Sequence, residues 1–511
     1  MKYSIGMKDS EMNINLHKAI AKGAGITFSG SVIEIILGLG YSLTLARFLG
    51  PEQYGVYTLG LSVLTVLSFF SIAGFHLTAV RFTSMYLGQK DYARLKGLFL
   101  VAVIIVLAIA IVLSTVIYLG SSFICQHIFK KIQLTSMLRM FGLLIPLYSV
   151  MLLLSFFLRG FQKIKAMVFM RKVLRPLVAL VLVWILLYCN FGLSAAISAL
   201  AISIFISTCY GLYSMVQNCP KEVFWATPVF HFKKLLFFSL PLLFLYFSVN
   251  LMNRVDILML GHFEDSSSIG VYSVANRIAR SCFLFYASFN TIFGPILADL
   301  YGQKLLSEVS VLFRTTTRWC FTFSLPCVLT FCVFSSDILS LIGGKYAQGN
   351  LVLVLLSLMW LIISFCGSIG SFLVMAGFQI QELIFSVMCL LTNIGLNLWL
   401  IPEYGIEGAA IATFASVVLL NICKVIYIYA KLRIHPFSSA FVKPLLIGII
   451  TGVVLFSKFL FNAKANLGII LFINALFFLA YFLGLYLIGL DTKDQLIFNM
   501  VKSKFFPKVR V

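Results

Sequence analysis

The chain has 511 residues, of which 61% are hydrophobic and 11% charged, with a mean hydropathy of +1.03 and a formal net charge of +22. An ordinary soluble domain carries about 25% charged residues, so this composition excludes a soluble enzyme or binding module and indicates an integral membrane protein. The positive charge does not imply a nucleic-acid partner: Lys and Arg stand in short links beside hydrophobic runs, where anionic lipid headgroups and topology account for them.

The first 22 residues are polar and mixed in charge. The apolar run after them lacks a short core with a small-residue cleavage site, which predicts a retained first span and no signal peptide. Runs of about 18 to 25 apolar residues then recur, the length an α-helix needs to cross ~30 Å of hydrocarbon. Stretches such as LVAVIIVLAIAIVLSTVIYL, 100 to 119, are apolar on every side. Barrel strands would alternate, so helices are expected. Fourteen spans are predicted, at 23–46, 55–78, 97–120, 138–158, 173–190, 193–215, 235–260, 270–293, 317–342, 351–376, 380–401, 407–430, 444–461 and 466–490. Pro146, Pro241, Pro295 and Pro326 fall inside spans and are expected to break or kink them.

With both termini cytoplasmic, the inside links hold Lys90, Arg94, Lys96, Arg159, Lys163, Lys165, Arg171 and Lys172, then Lys221, Lys233, Lys234, Lys431, Arg433 and Lys443. The opposite links hold few Lys or Arg, namely Arg47, Lys130, Lys131, Lys345 and Lys464, and gather Glu264, Asp265, Glu403 and Glu407, so the positive-inside bias favours this orientation. All links are short, which leaves no room for a soluble catalytic domain, and no G-x-x-x-x-G-K-[ST] loop is present. The 11 Cys lie mostly in apolar runs, without a C-x-x-C pair or a His cluster. Neither catalytic residues, a metal site nor a cofactor is expected.

Three pairs of segments match at nearly one spacing. YGVYTLGLSV (54–63) answers IGVYSVANRI (269–278), YLGQKDYARLKGLF (86–99) answers LYGQKLLSEVSVLF (300–313), and FGLSAAISAL (191–200) answers YGIEGAAIAT (404–413). A constant offset across separate links predicts a tandem duplication whose copies are related by an axis along the membrane normal. The expected fold is therefore an all-α polytopic membrane protein of about 14 transmembrane helices: two tandem six-helix lobes plus two C-terminal helices. Its segments are a cytoplasmic N-terminal stretch (1–22), an N-lobe (23–215), an inter-lobe linker (216–234), a C-lobe (235–430), helices 13 and 14 (444–490) and a basic cytoplasmic tail (491–511).

Charges within spans cost roughly 2.5 to 3.5 kcal/mol each at the bilayer centre, so they should face the bundle interior or a wet cavity. They concentrate in few spans: Glu34 in the first, His76 and Arg81 in the second, Asn250, Asn253, Arg254 and Asp256 in the seventh, Asn276, Arg277 and Arg280 in the eighth. On a continuous helix Arg254 and Asp256 stand about 200° apart and point to different neighbours. Asn250 shares the face of Arg254, while Asn253 and Leu260 accompany Asp256. Arg277 and Arg280, at i, i+3, form a basic ridge. One economical arrangement pairs Asp256 with a nearby Arg while the remaining cations line a cavity. Arg254, Arg277, Arg280, Asn250 and Arg81 are the candidate substrate-binding residues; the plainer reading is an ion pair that fixes packing, or snorkelling at a membrane edge. Glu34 and Asp256 are candidates for ion coupling or lobe packing, Glu34 alternatively being a carboxyl hydrogen-bonded among Ser31 and Thr27. His76 is expected to be structural, and the aromatic residues mostly lipid-facing.

LARFLGPEQYGVYTLGLSVLTVLSFFSIAGFHLTAVRF (45–82), with its R-F-L-G-P-E-x-Y-G loop, resembles the N-terminal region of polysaccharide and oligosaccharide flippases of the multidrug/oligosaccharidyl-lipid/polysaccharide exporter superfamily. DILMLGHFEDSSSIGVYSVANRI (256–278) and YGIEGAAIAT carry the resemblance into the second half, so that it covers about residues 20 to 430. Asp256 matches a family position. The resemblance implies a flippase that moves an undecaprenyl-pyrophosphate-linked oligosaccharide, the repeat unit of an O-antigen or capsule, across the cytoplasmic membrane of a bacterium or archaeon. It implies alternating access around a cationic cavity, with membrane lipids and a glycan polymerase or chain-length regulator as neighbours. A cation-coupled multidrug exporter of the same superfamily is the alternative, and would have acids dominating the cavity. A membrane glycan polymerase or ligase would need a large outer loop, which the sequence lacks.

Overall fold

The computed structural model describes the backbone of residues 3–188, 192–460 and 467–488, which is helical apart from short links, with no strand among the described residues. Eight helices among them are long and apolar enough to cross a membrane. The chain is a multi-pass membrane protein. The helix Tyr3–Ser71, 69 residues long, turns at Gly50, where φ is 71° and ψ 172°. A side chain would strain that backbone, whereas glycine accepts it, and Pro51 then suits the first turn of the next helix. The 54-residue helix Gln379–Leu432 turns in the same way at Gly405, with φ 55° and ψ −130°. Each rod therefore holds two of the expected spans, and the L-G-P stretch is the reversal between the first two.

Other breaks do not fall at the prolines. Pro146, Pro241 and Pro326 sit inside the unbroken helices Thr135–Gly160, Phe232–Met252 and Leu306–Val333, since a membrane helix can re-satisfy the one backbone bond a proline removes. The side chain of Pro295 lies outside the described residues. Interruptions occur instead between Met252 and Val255, in the 3-10 turn Arg280–Cys282, and in the π-helical turn Phe169–Leu174. Polar side chains cluster at all three.

The bundle has two ends, called here the far end, which carries the Gly50 and Gly405 turns, and the near end, which carries the 89–91, 161–163 and 219–231 links. At the far end the two halves share one continuous core, in which Tyr54 and Tyr57 of the first half join Ile269, Tyr272 and Leu353 of the second. Toward the near end the second half keeps a core of its own, built on Phe293, Phe313, Phe372 and Ile428. The helices Val442–Leu460 and Leu467–Ile488 pack beside Leu306–Val333, where Tyr481 donates to the Thr322 carbonyl at 3.0 Å.

Contacts between the halves follow a two-fold pattern. Thr58 accepts a hydrogen bond from Ser273 at 3.1 Å, and these residues are 215 apart in sequence. The same spacing relates Gly55 to Gly270, and each lets a backbone carbonyl of the other half approach where a Cβ would collide, Ser266 against Gly55 and Pro51 against Gly270. It also relates two latches: Lys131 donates to the Gly261 carbonyl at 2.9 Å, and Tyr346 donates to the Ala46 carbonyl at 2.8 Å. Within each half, Tyr41 bonds Tyr57 and Tyr272 donates to Asp256, both at 2.7 Å and both across 16 residues. Glycine crossings bring the helices close enough for dispersion and hydrogen bonding to act together, which in lipid is the main source of helix association.

Lys131 also donates to the Glu264 carbonyl, so it caps the end of the helix Val255–Phe263. Burial pushes its ammonium below the usual lysine range, and Asp265 and Glu264 draw it back. A charge-assisted hydrogen bond of this kind contributes about 1.5 kcal/mol or more, a shift of roughly tenfold in an equilibrium. Lys131→Met is accordingly expected to raise the labelling of a Thr58→Cys reporter by an impermeant maleimide about tenfold. Unchanged labelling would show that the latch carries none of the closure.

At the near end the halves meet where Phe75–Gly88 lies along Phe232–Met252. Thr78 and Ser239 hydroxyls are 2.7 Å apart, His76 stacks on Tyr246 with ring centroids 4.0 Å apart, and Phe82 meets Phe238 edge-on.

Candidate functional site

Between the halves lie two adjoining chambers that take in about 1060 and 1300 Å³ of open space. The first helix supplies a stripe at helical spacing, Ser31, Glu34, Gly38, Tyr41 and Ser42. Opposite it stand Arg254, freed by the break before Val255, and Arg277 and Arg280 at the end of Ser266–Ala279. The third wall comes from the π-helical turn and the helix after it, with Arg171, Lys172 and Arg175. Among the described residues six cationic side chains thus face the space against one carboxylate, Glu34. Like charges roughly 6 Å apart repel by about 3 kcal/mol per pair at an effective dielectric near 20, so an anion placed among them relieves a standing cost.

Three of these cations are not neutralised by protein. Among the described residues Arg254, Arg277 and Arg280 make no side-chain hydrogen bond or ion pair, and the buried Nε of Arg277 has no partner. Gly38 makes room for the Arg277 guanidinium, which a Cβ at that position would strike. Arg175 donates to the Tyr148 hydroxyl at 3.0 Å, leaving its other donors toward the cavity.

Of the sequence-predicted residues, Arg254, Arg277, Arg280, Asn250 and Glu34 line the chambers together. Arg81 does not. It is exposed on the outside of the near-end seam, its guanidinium 4.7 Å from the centre of the Phe238 ring. The rotation of the helix Phe75–Gly88 carries it away from the cavity, and snorkelling describes it better. Asn253 lines the chambers and does not accompany Asp256, because the helix breaks between them. Glu34 is not held by Thr27 or Ser31: its charged neighbour is Lys172, whose Nζ is 4.0 Å away and donates to Ser31 at 2.5 Å.

Asp256 is buried and pairs with no Arg. It accepts from Tyr272 and Thr413 at 2.7 Å each and from Asn397 at 3.1 Å, and Asn397 in turn donates to Asn393. The carboxylate therefore ties three helices of the second half to one another, away from the chambers and away from the other half. Sequence reasoning missed Arg175, Arg171, Lys172, Tyr41, Tyr54, Tyr57 and Tyr148 as cavity residues. An available signal was R-K-x-x-R-P at 171–176, where three cations fall on one helical arc at the mouth of a span. Among the described residues no group of three or more His, Cys, Asp or Glu is placed to hold a metal ion.

Comparison with known proteins bears on the family and the fold. A family model described as polysaccharide biosynthesis protein matches residues 20–300, more than half of the chain. The chain belongs to that family. A second model, MatE, matches residues 241–399. A probable flippase, AglR of Haloferax volcanii, is 29% identical over 174 residues, which are 34% of this chain and 37% of that protein, so the match spans little more than a third of the relative's length. Among solved structures, the lipid II flippase MurJ in an inward closed conformation superposes with a TM-score of 0.72 at 16% identity, covering 89% of this chain and 97% of that one. An inward-facing multidrug resistance MATE family transporter of the MOP superfamily gives 0.65 at 13% identity, over 80% and 98%. At such identities the likeness shows that the chain shares the fold of both.

Proposed function

We propose that the protein is a flippase that moves an undecaprenyl-pyrophosphate-linked oligosaccharide from the cytoplasmic to the outer leaflet by alternating closure of two duplicated lobes. The observation that carries this reading is the belt of unpaired Arg254, Arg277 and Arg280, joined by Arg175, in a cavity between the halves. A pyrophosphate cannot cross hydrocarbon unaided, and desolvated guanidiniums offer it bidentate, charge-assisted hydrogen bonds. Apolar Ile35, Leu39, Phe69 and Phe283, in the chamber that Glu34 lines, suit the start of the polyprenyl tail, the rest of which stays in lipid. The excess of Lys and Arg in near-end links supports placing that end in the cytoplasm, with fourteen crossings and both termini inside. The recurrence of contacts at a spacing of 215 supports a tandem duplication.

Coupling falls to Asp256 in this reading. Its partners are all neutral, so a proton or a monovalent cation bound there would change the charge within the second half. A glycan polymerase or chain-length regulator in the same membrane would receive the product. The match to MatE favours a cation-coupled multidrug exporter as a second reading, but six cations against one carboxylate suit an anionic cargo. Deleting the gene should remove a surface glycan and leave its lipid-linked precursor on the cytoplasmic face, with the wild-type chain restoring export. An intact surface glycan together with new sensitivity to cationic drugs would decide for the exporter.

A further inference from the structure

The Arg belt divides the cavity into two chemically unlike spaces. Arg175, Arg254, Arg277 and Arg280 border both chambers. Of the side chains unique to the near chamber, Glu34, Arg171 and Lys172 are charged. Among the described residues the far chamber has no charged side chain of its own: its unique polar lining is Tyr41, Ser42, Tyr54, Thr58, Ser273 and Asn276, together with Tyr57 and Ser203. Most of these hydroxyls already have partners, such as Tyr41 with Tyr57 and Thr58 with Ser273. Asn276 is different. Its half-buried carboxamide, one residue before Arg277, makes no hydrogen bond among the described residues.

A lipid-linked glycan is linear, with the polyprenyl tail on one side of the pyrophosphate and the first sugar on the other. If the phosphates sit on the belt and the tail leaves by the near chamber, the sugar joined to the phosphate must enter the far chamber. We propose that the far chamber is the subsite for that reducing-end sugar, taken as a neutral sugar or N-acetylamino sugar, with Asn276 as its specificity-determining residue. An amide presents a donor and an acceptor side by side, the pattern that vicinal hydroxyls or an acetamido group complete. A bound sugar would cover this half-buried amide and strip its water, so the site discriminates against a ligand that lacks the matching group. The far-end closure at Thr58 and Ser273 seals this chamber and holds the sugar against the belt. The assignment rests on the proposed function and goes further, because it says which part of the cargo each chamber reads.

The test uses the full chain in lipid nanodiscs and two probes, undecaprenyl pyrophosphate and undecaprenyl-pyrophosphoryl-N-acetylglucosamine. The wild type should bind the sugar-bearing lipid about tenfold more tightly, the equivalent of one to two good hydrogen bonds. Asn276→Leu should abolish that difference while changing the affinity for the sugar-free lipid less than about twofold, and Ser42→Ala should reduce it, both judged on protein that elutes as the wild type does. Arg277→Ala should weaken both lipids alike. Equal binding of the two lipids by the wild type would overturn the subsite and leave the flippase reading standing, as would an Asn276→Leu variant that keeps the full difference or loses both affinities equally. Failure of the wild type to bind either lipid would overturn both.

Discussion

Replacing Arg254, Arg277 or Arg280 by Ala is expected to abolish glycan export while the protein still inserts and folds. Each faces the cavity without a protein partner, so its loss removes a contact to the cargo and leaves no buried carboxylate stranded. Truncating one member of a desolvated charge pair costs about 2–4 kcal/mol, roughly thirty- to a thousandfold in affinity for the pyrophosphate. Lysine keeps the charge but loses the planar fork, so Arg→Lys variants should recover a minor part of the activity. Arg81→Ala serves as the internal control: that side chain lies outside the cavity and its removal should leave export near the wild-type level. The comparison reads out as surface glycan per inserted protein. Normal export by all three cavity variants would remove the belt from the transport path.

A cross-link at the two-fold contact should be equally severe. Thr58 and Ser273 oxygens are 3.1 Å apart, so a Thr58→Cys, Ser273→Cys pair is placed to form a disulfide across the halves. In the proposed alternating cycle the far end parts once per turnover, and a covalent bridge between Thr58 and Ser273 forbids it. Oxidation should stop export completely and a reductant should restore it, while either single variant should respond to neither. Continued export by the cross-linked protein would mean that the cargo leaves by another route.

Local chemistry made several of these features legible in the sequence. The Gly50-Pro51 turn follows from what glycine and proline do to a helix, and the 215-residue spacing is visible in the letters before it appears as Thr58 meeting Ser273. Arg254, Arg277 and Arg280 stood out because charge is rare at such depth. Arg171 and Lys172 were disguised by position: at the end of a span a cation reads as part of a basic cytoplasmic link, and only the packing of that helix against the first turns it inward. Arg81 shows the reverse, since a one-dimensional reading cannot fix the rotation of a short helix that mixes polar and apolar residues on both faces. The opposite pointing of Arg254 and Asp256 was correct although the uninterrupted helix behind it was not. Asp256 could be recognised as buried, but Asn397 and Thr413 lie 141 and 157 residues away, and no local pattern announces partners at that distance.

The most direct measurement is translocation by the purified full chain in proteoliposomes loaded with a fluorescent undecaprenyl-pyrophosphate-linked oligosaccharide in one leaflet. The wild type should transfer the labelled lipid to the other leaflet, Arg277→Ala should lose that transfer, and a cationic dye should not be transported under the same conditions. Transfer that survives Arg277→Ala, or efficient dye transport with the glycan lipid left in place, would overturn the assignment of the Arg belt to an anionic glycan lipid.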